Sequence, residues 1–321
     1  FWLKVAIWAQ GPSTTKHRRA CCRRAPRAVS HQASQASMSA TQVAKMAHAA
    51  GKSAPSGPVQ AAYALFGLGA YVVFSHAAGG EFSAVLTLAV VFQCLALTLL
   101  ALQVMSKRSA AGISAKALTL DAAALCLRLS STTWLNGYLP VDMTGDWIYQ
   151  AFDFVSLAVV AWLLFQVYTT HRHTYQEAQD TLSAMPFILG SLVLAALFHA
   201  DMNARPVFDA LWMAGLFVSV VAVLPQLWLI MRSHGRCEAL TSHYIAAMAV
   251  SRILSGTFMW HARHDITCDQ WVEDVNHAVW AILGAHAAHL LFLADFAYYY
   301  VKAVLQDGLN CRIQLTGDAL V

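Results

Sequence analysis

Two arginines set the chemistry open to this sequence. Arg128 and Arg252 each stand well inside a long apolar stretch. With 1.5 Å of rise per helical residue, Arg128 lies roughly 18 Å in from Lys116 and Arg252 about 14 Å in from His243. An arginine at that depth in a hydrocarbon layer costs at least about 2.5 kcal/mol, and it faces a bundle interior or a wet cavity. Position alone leaves two readings. Each guanidinium pairs with a buried acid such as Asp153, or with backbone carbonyls, in a purely structural role. Alternatively, the two stand at matched depth as a fork for a carboxylate ligand, which arginine binds through two parallel hydrogen bonds.

The remaining reactive residue types point to no second chemistry. His286 and His289 are three apart and share a helix face, but without a third ligand nearby they read as packed or cavity-lining histidines rather than a metal site. The seven cysteines form an odd set with no C-x-x-C pair, which argues against a metal knuckle or a disulfide framework. Cys94 and Cys126 read as small packing residues, and Cys268 has no obvious partner. Neither a nucleophile with its base nor a glycine-rich phosphate loop is recognisable. The expectation is therefore not an enzyme, with no metal, no cofactor and no nucleic-acid partner.

Positioning such buried cations takes helices that cross a bilayer. Hydrophobic types make up 58% of the 321 residues and charged types 12%, with a mean hydropathy of +0.50. That is too apolar for an ordinary soluble domain. Windows of about 20 mostly apolar residues suffice to cross the hydrocarbon. They fall at Pro58–His76, Ala84–Met105, Lys116–Asn136, Trp147–Tyr168, Ser183–Ala200, Val207–Met231, His243–Trp260 and Val275–Val301. Ala84–Met105 and Ser183–Ala200 hold no ionisable side chain, whereas Lys116–Asn136 carries Lys116, Asp121 and Arg128. Three domains are expected: a disordered basic and Ser/Ala-rich segment at 1–57, a transmembrane domain at 58–302 and a cytoplasmic tail at 303–321. The arginines of the first segment, Arg18, Arg19, Arg23, Arg24 and Arg27, suit a solvated tail, with contact to anionic membrane lipid as the alternative.

Loop charge predicts the orientation, since Lys and Arg are retained on the cytoplasmic side. Loops with Lys107, Arg108 and Lys116, with Arg172, and with Arg232 and Arg236 alternate with loops carrying mainly Glu81, Asp142 and Asp146, Asp201, or Asp265 and Asp269. This alternation predicts eight crossings with both termini cytoplasmic. A repeat runs through the same loops: Arg108-Ser109 precedes Arg128 as Arg232-Ser233 precedes Arg252, each arginine pair being 20 residues apart. Parallel repeats place a ligand site near the midplane between the halves. Spans two to four would form one triple-helix bundle, spans six to eight the other, and the fifth would invert the chain between them.

Four segments carry a resemblance. Ser109-Ala-Ala-Gly-Ile-Ser-Ala-Lys116, Val221-Ala-Val-Leu-Pro-Gln-Leu227, Thr241-Ser-His-Tyr244 with Ser251-Arg252, and Asp295-Phe-Ala-Tyr-Tyr-Tyr-Val-Lys302 resemble, in order, signature stretches of the KDEL receptor family. The resemblance covers about Ala84 to Lys302. It implies a SWEET/PQ-loop-like fold of two parallel triple-helix bundles joined by an inverting helix. It further implies a receptor of ER and Golgi membranes that retrieves lumenal proteins by their C-terminal tetrapeptide, with vesicle coat machinery as a further partner. Arg128 and Arg252 fall on arginines that hold the cargo peptide in that family, Asp209 and Trp212 on an acid and a tryptophan of the same site, and Asp295 on an aspartate linked to retrograde transport. Elsewhere the sequence departs. Leu86 stands where the family has an arginine, Gln93 where it has the histidine associated with pH sensing, Ser219 where it has an acid, and Ser251 and Ser255 where it has tyrosines. With the extra first span, these features look more like the receptor-related branch that carries an additional N-terminal helix. A small-solute transporter of the same fold and a non-retrieving scaffold are the alternative readings.

Overall fold

A computed structural model describes residues 57–77, 82, 84–134, 146–201, 205–233, 236–237, 239–268, 275–307 and 313–314. The segment expected to be disordered, 1–57, lies outside these apart from Gly57. The described residues form α1 (Gly57–Val72, extended by a π-helical turn, Val73–Ala77), α2 (Ala84–Lys107), α3 (Ala115–Thr132), α4 (Asp146–Phe165, extended by a π-helical turn, Gln166–Thr170), α5 (Ala184–Phe198), α6 (Pro206–Arg232), α7 (Ala239–His261) and α8 (His277–Asp307). One two-residue antiparallel pair joins β1 (Arg236–Cys237) to β2 (Ile313–Gln314). Each expected span has its helix. The last one differs in extent, because α8 runs to Asp307, past Lys302 where the tail was expected to begin.

Four helical stretches are both long and apolar enough to cross a bilayer: Ala84–Lys107, Trp147–Thr170, Pro206–Arg232 and His277–Ala294. The apolar helices at Gln60–Ser75 and Ala184–Phe198 are shorter. α3 and α7 are absent from the first group because they carry the polar cargo of the fold, Asp121 and Arg128 on one and His243 and Arg252 on the other. An all-α membrane protein is the class this defines. Hydroxyl side chains inside the helices bond back to the preceding turn, as Thr98 does to the Cys94 carbonyl at 2.8 Å, Thr119 to Ala115 at 2.8 Å and Thr132 to Arg128 at 3.1 Å. Such bonds keep their oxygens satisfied where water is scarce.

The most extensive helix contacts are α3 on α6 and α2 on α7. α3 begins at Ala115 and α7 at Ala239, 124 residues on, which is also the separation of Arg128 from Arg252. The exchange α2 to α6 and α3 to α7 therefore turns one major interface into the other. Two glutamines repeat the pattern at the basic end. Gln226 of α6 accepts from the Ser114 amide at 2.9 Å and donates to the Gly112 carbonyl at 2.8 Å. Gln103 of α2 accepts from the Thr241 hydroxyl, at the start of α7, at 2.6 Å. Each thus ties its own helix to the start of a helix in the other half.

The loop entering α3 is held by a second set of contacts. Gly112 adopts φ +78°, a left-handed turn that glycine makes without strain. Ser114 then caps α3, its oxygen accepting from the Ala117 amide at 3.0 Å. Its hydroxyl donates to Asp180 at 2.8 Å, and the same carboxylate accepts from Tyr175 at 2.7 Å. Burial first, and then that hydrogen bond, hold the Tyr175 phenol above its usual range.

Candidate ligand-binding site

Two large apolar clusters fill the interior. One holds Leu97, Leu100, Leu118, Leu163, Tyr244 and Phe296; the other holds Leu86, Tyr149, Trp212, Met213, Phe258 and Ile282. Along five helices the change from one cluster to the other falls near a buried polar residue: Gln93 on α2, Asp153 on α4, Ser219 on α6, Arg252 on α7, His286 and His289 on α8. Arg128 of α3 stands at the same change, beyond Leu125 and beside Leu127. The helices thus place a polar layer at mid-length between two apolar ones.

Arg128 is paired. Its Nε donates to Asp153 Oδ2 at 2.6 Å and its Nη2 to Oδ1 at 2.5 Å, a bidentate contact from α3 to α4. Asp153 is completely buried, and Arg128 keeps 17% of its side-chain surface open. The guanidinium also lies 5.3 Å from the centre of the Tyr149 ring, within cation–π range. Of the two readings left open by position, the structural pairing with Asp153 is present in the geometry.

Arg252 is not paired in that way. It is 6% exposed, its Nη2 reaches only the Met248 sulfur at 3.5 Å, and its Nε has no hydrogen-bond partner. Asp121 and Asp153 lie within electrostatic range, as does Arg128. The Asp121 carboxylate is approached by the Tyr244 hydroxyl, at a long 3.4 Å. One turn beyond Arg252, Gly256 faces the His286 ring, whose Cβ, Cγ and Nδ1 lie 3.4 to 3.7 Å from where a Cβ would stand.

Asp209 and Trp212 both lie on α6, buried, three residues apart and therefore on one face. Gly215 continues that face. A Cβ there would stand 3.0 Å from the Ala124 carbonyl and 3.2 Å from the Arg128 amide, so α6 rests directly on the α3 backbone. The Ser131 hydroxyl, donating to the Phe208 carbonyl at 2.9 Å, ties the same two helices nearer the acidic end. The four expected ligand residues are thereby gathered on α3, α6 and α7. Asp295 belongs to α8, and its side chain lies outside the described residues.

Leu86, Gln93 and Ser219, standing where the resembled family has charged or titratable groups, are all buried. Cys94 is buried, but Cys126 is exposed and so does not pack in the core as expected. Cys268 is a free thiol, which donates to Asn276 Oδ1 at 3.1 Å. Among the described residues no group of three His, Cys, Asp or Glu converges to hold a metal.

An all-α membrane protein with charged side chains buried in a layer at mid-helix is the class that fold and site define. Comparison with known proteins is narrower. Residues 109–263 match the sequence model of the ER lumen protein retaining receptor. The chain is 29% identical over 213 residues to the ER lumen protein-retaining receptor erd-2.2 of Caenorhabditis elegans, which covers 66% of this chain and 90% of that relative. Over 212 residues it is 26% identical to the receptor of Drosophila melanogaster, with the same coverage. It is 28% identical over 171 residues to that of Entamoeba histolytica, covering 53% of this chain and 74% of the relative. Over residues 109–263, and at 26 to 29% identity to these relatives, the chain is similar to the ER lumen protein retaining receptor family.

Proposed function

We propose that this protein is a receptor of the early secretory pathway, resident in ER and Golgi membranes, which binds C-terminal retention signals of lumenal proteins and returns them from Golgi to ER. The observation that carries the reading is the pair of guanidiniums at equivalent places in the 124-residue repeat, Arg128 partly buried and Arg252 buried with an Nε that has no hydrogen-bond partner. A free C-terminal carboxylate is the ligand group that such cations recognise best. Arg128, Arg252, Asp209 and Trp212 are the proposed ligand residues, and Asp295 the proposed trafficking residue. The exchange of the α3–α6 and α2–α7 interfaces under that repeat supports two parallel triple-helix bundles of the SWEET/PQ-loop kind, with α5 inverting the chain between them. On this reading 58–302 is the membrane domain, α1 is additional to the seven-helix core, and vesicle coats meet the basic end.

Binding of radiolabelled tetrapeptides to the purified full chain tests the proposal. Saturable binding of peptides ending in Lys-Asp-Glu-Leu or a close variant, lost when the terminal carboxylate is amidated, is the expected result. No binding to any such peptide, together with flux of a small solute in proteoliposomes, would overturn it.

A further inference from the structure

Three buried side chains in the polar layer have polar atoms with no partner. They are Arg252, through Nε, His286, through both ring nitrogens, and His289, through Nε2. All three are more than nine-tenths buried. His286 and His289 are i and i+3 on α8 and share a face, and Arg252 and Gly256 are i and i+4 on α7. The absence of a side chain at Gly256 brings the His286 ring onto the α7 backbone one turn from Arg252. A permanent cation and two imidazoles are thus brought together on facing helices.

Among the described residues no hydrogen-bond acceptor meets these atoms, although Asp121 lies within electrostatic range of Arg252. Asp153 gives both carboxylate oxygens to Arg128, and Asp121 accepts from Tyr244. The Met248 sulfur is a weak acceptor. Guanidinium offers donors only, and each neutral imidazole presents an N–H from one ring nitrogen or the other. A buried donor left unmade costs about 1 to 3 kcal/mol, more when charged. A water molecule would meet one donor but would not neutralise the charge. An anion would do both.

We propose that Arg252, His286 and His289 form a carboxylate-binding subsite, and that Asp153 holds the Nε and Nη2 of Arg128 away from that carboxylate. The two arginines are then not a symmetric fork. Arg252 takes the carboxylate through its Nε edge, the histidines donate to its remaining lone pairs, and Arg128 holds α3 to α4. This deepens the receptor reading and rests on it only for the source of the carboxylate, a peptide C-terminus.

The test uses the full chain in lipid nanodiscs with two probes, N-acetyl-leucine and its amide, followed by thermal midpoint and by 15N resonances of the histidine rings. N-acetyl-leucine should raise the midpoint and move the His286 and His289 resonances of the unaltered protein, and the amide should do neither. Replacing both histidines by phenylalanine, or Arg252 by Gln, should weaken the acid roughly tenfold or more, the loss of one charge-assisted hydrogen bond. No response in the parent, or binding that is unchanged by the histidine and Arg252 replacements, overturns the subsite. A Lys-Asp-Glu-Leu tetrapeptide separates it from the receptor reading. Tetrapeptide binding unaffected by the histidine changes removes the subsite and leaves the receptor. Histidine-dependent binding of the acyl amino acid without tetrapeptide binding leaves the subsite and removes the receptor.

Discussion

Arg128 and Arg252 share a side chain and a place in the repeat, yet their surroundings divide their work. The carboxylate of Asp153 takes two guanidinium hydrogens of Arg128 at 2.5 and 2.6 Å, and no such partner reaches Arg252. Removing one member of a buried pair leaves the other uncompensated, at about 3–5 kcal/mol. Arg128→Ala should therefore lower the thermal midpoint sharply, and adding Asp153→Ala should restore most of it. A single variant that melts like the parent, or a double variant that melts no higher than the single one, would show that the pair does not hold α3 to α4. Both arginines and Asp153 were legible in the sequence, because a charge inside an apolar run has to be accounted for. Which arginine Asp153 serves was not legible, since that depends on how α3, α4 and α7 rotate about their axes.

At the scale of elements, hydrophobic runs located all the helices, because a bilayer demands length and apolarity and little else. The polar layer could not be read in the same way. It exists only once Gln93, Asp153, Ser219, Arg252 and His286, scattered over five helices, are brought to one level. Close approach of backbones is equally invisible in a hydropathy profile. A side chain at Gly215 would bring its Cβ to 3.0 Å from the Ala124 carbonyl. Gly215→Leu should push α6 off α3 and destabilise the protein by about 1–3 kcal/mol, as overpacking does. An unchanged melting curve would mean that the helices part there at no cost. At the basic end, the Tyr175 phenol donates to Asp180 at 2.7 Å and is held above its usual range by burial and by that carboxylate. In the unfolded chain a tyrosine releases its proton near pH 10. The stabilisation from Tyr175 is therefore complete below about pH 10 and declines above it. The stability gap between the parent and Tyr175→Phe should narrow as pH rises through that range. A gap that is constant with pH would show that the phenol is not coupled to folding.

For the molecule as a whole, four of the eight described helices meet the requirements of length and apolarity for crossing a membrane unaided. α3 and α7 fall short because of their charged residues, but these face inward. Arg252, Asp121 and His243 are all buried, so the surfaces that meet lipid need not carry them, and a polytopic bundle inserts such helices beside their partners. The repeat adds a constraint of connectivity. On the proposed parallel repeat α2 matches α6 and α3 matches α7, so an odd number of complete crossings must separate α3 from α7. α4 and α6 are long and apolar enough to cross, so on that repeat α5 must span as well, because omitting it would invert the second half and bring its basic turn at Arg232-Ser233 to the opposite face from Arg108-Ser109. Glycosylation acceptors inserted near Gly80, Thr144, Asn203 and Asp269 should be modified in cells, and acceptors near Ser109, His173 and Gly235 should stay bare. Modification near Gly235 but not near Ser109 would show that the two basic turns lie on opposite faces. The halves would then be antiparallel, and the common level of Arg128 and Arg252 could not arise from a parallel repeat.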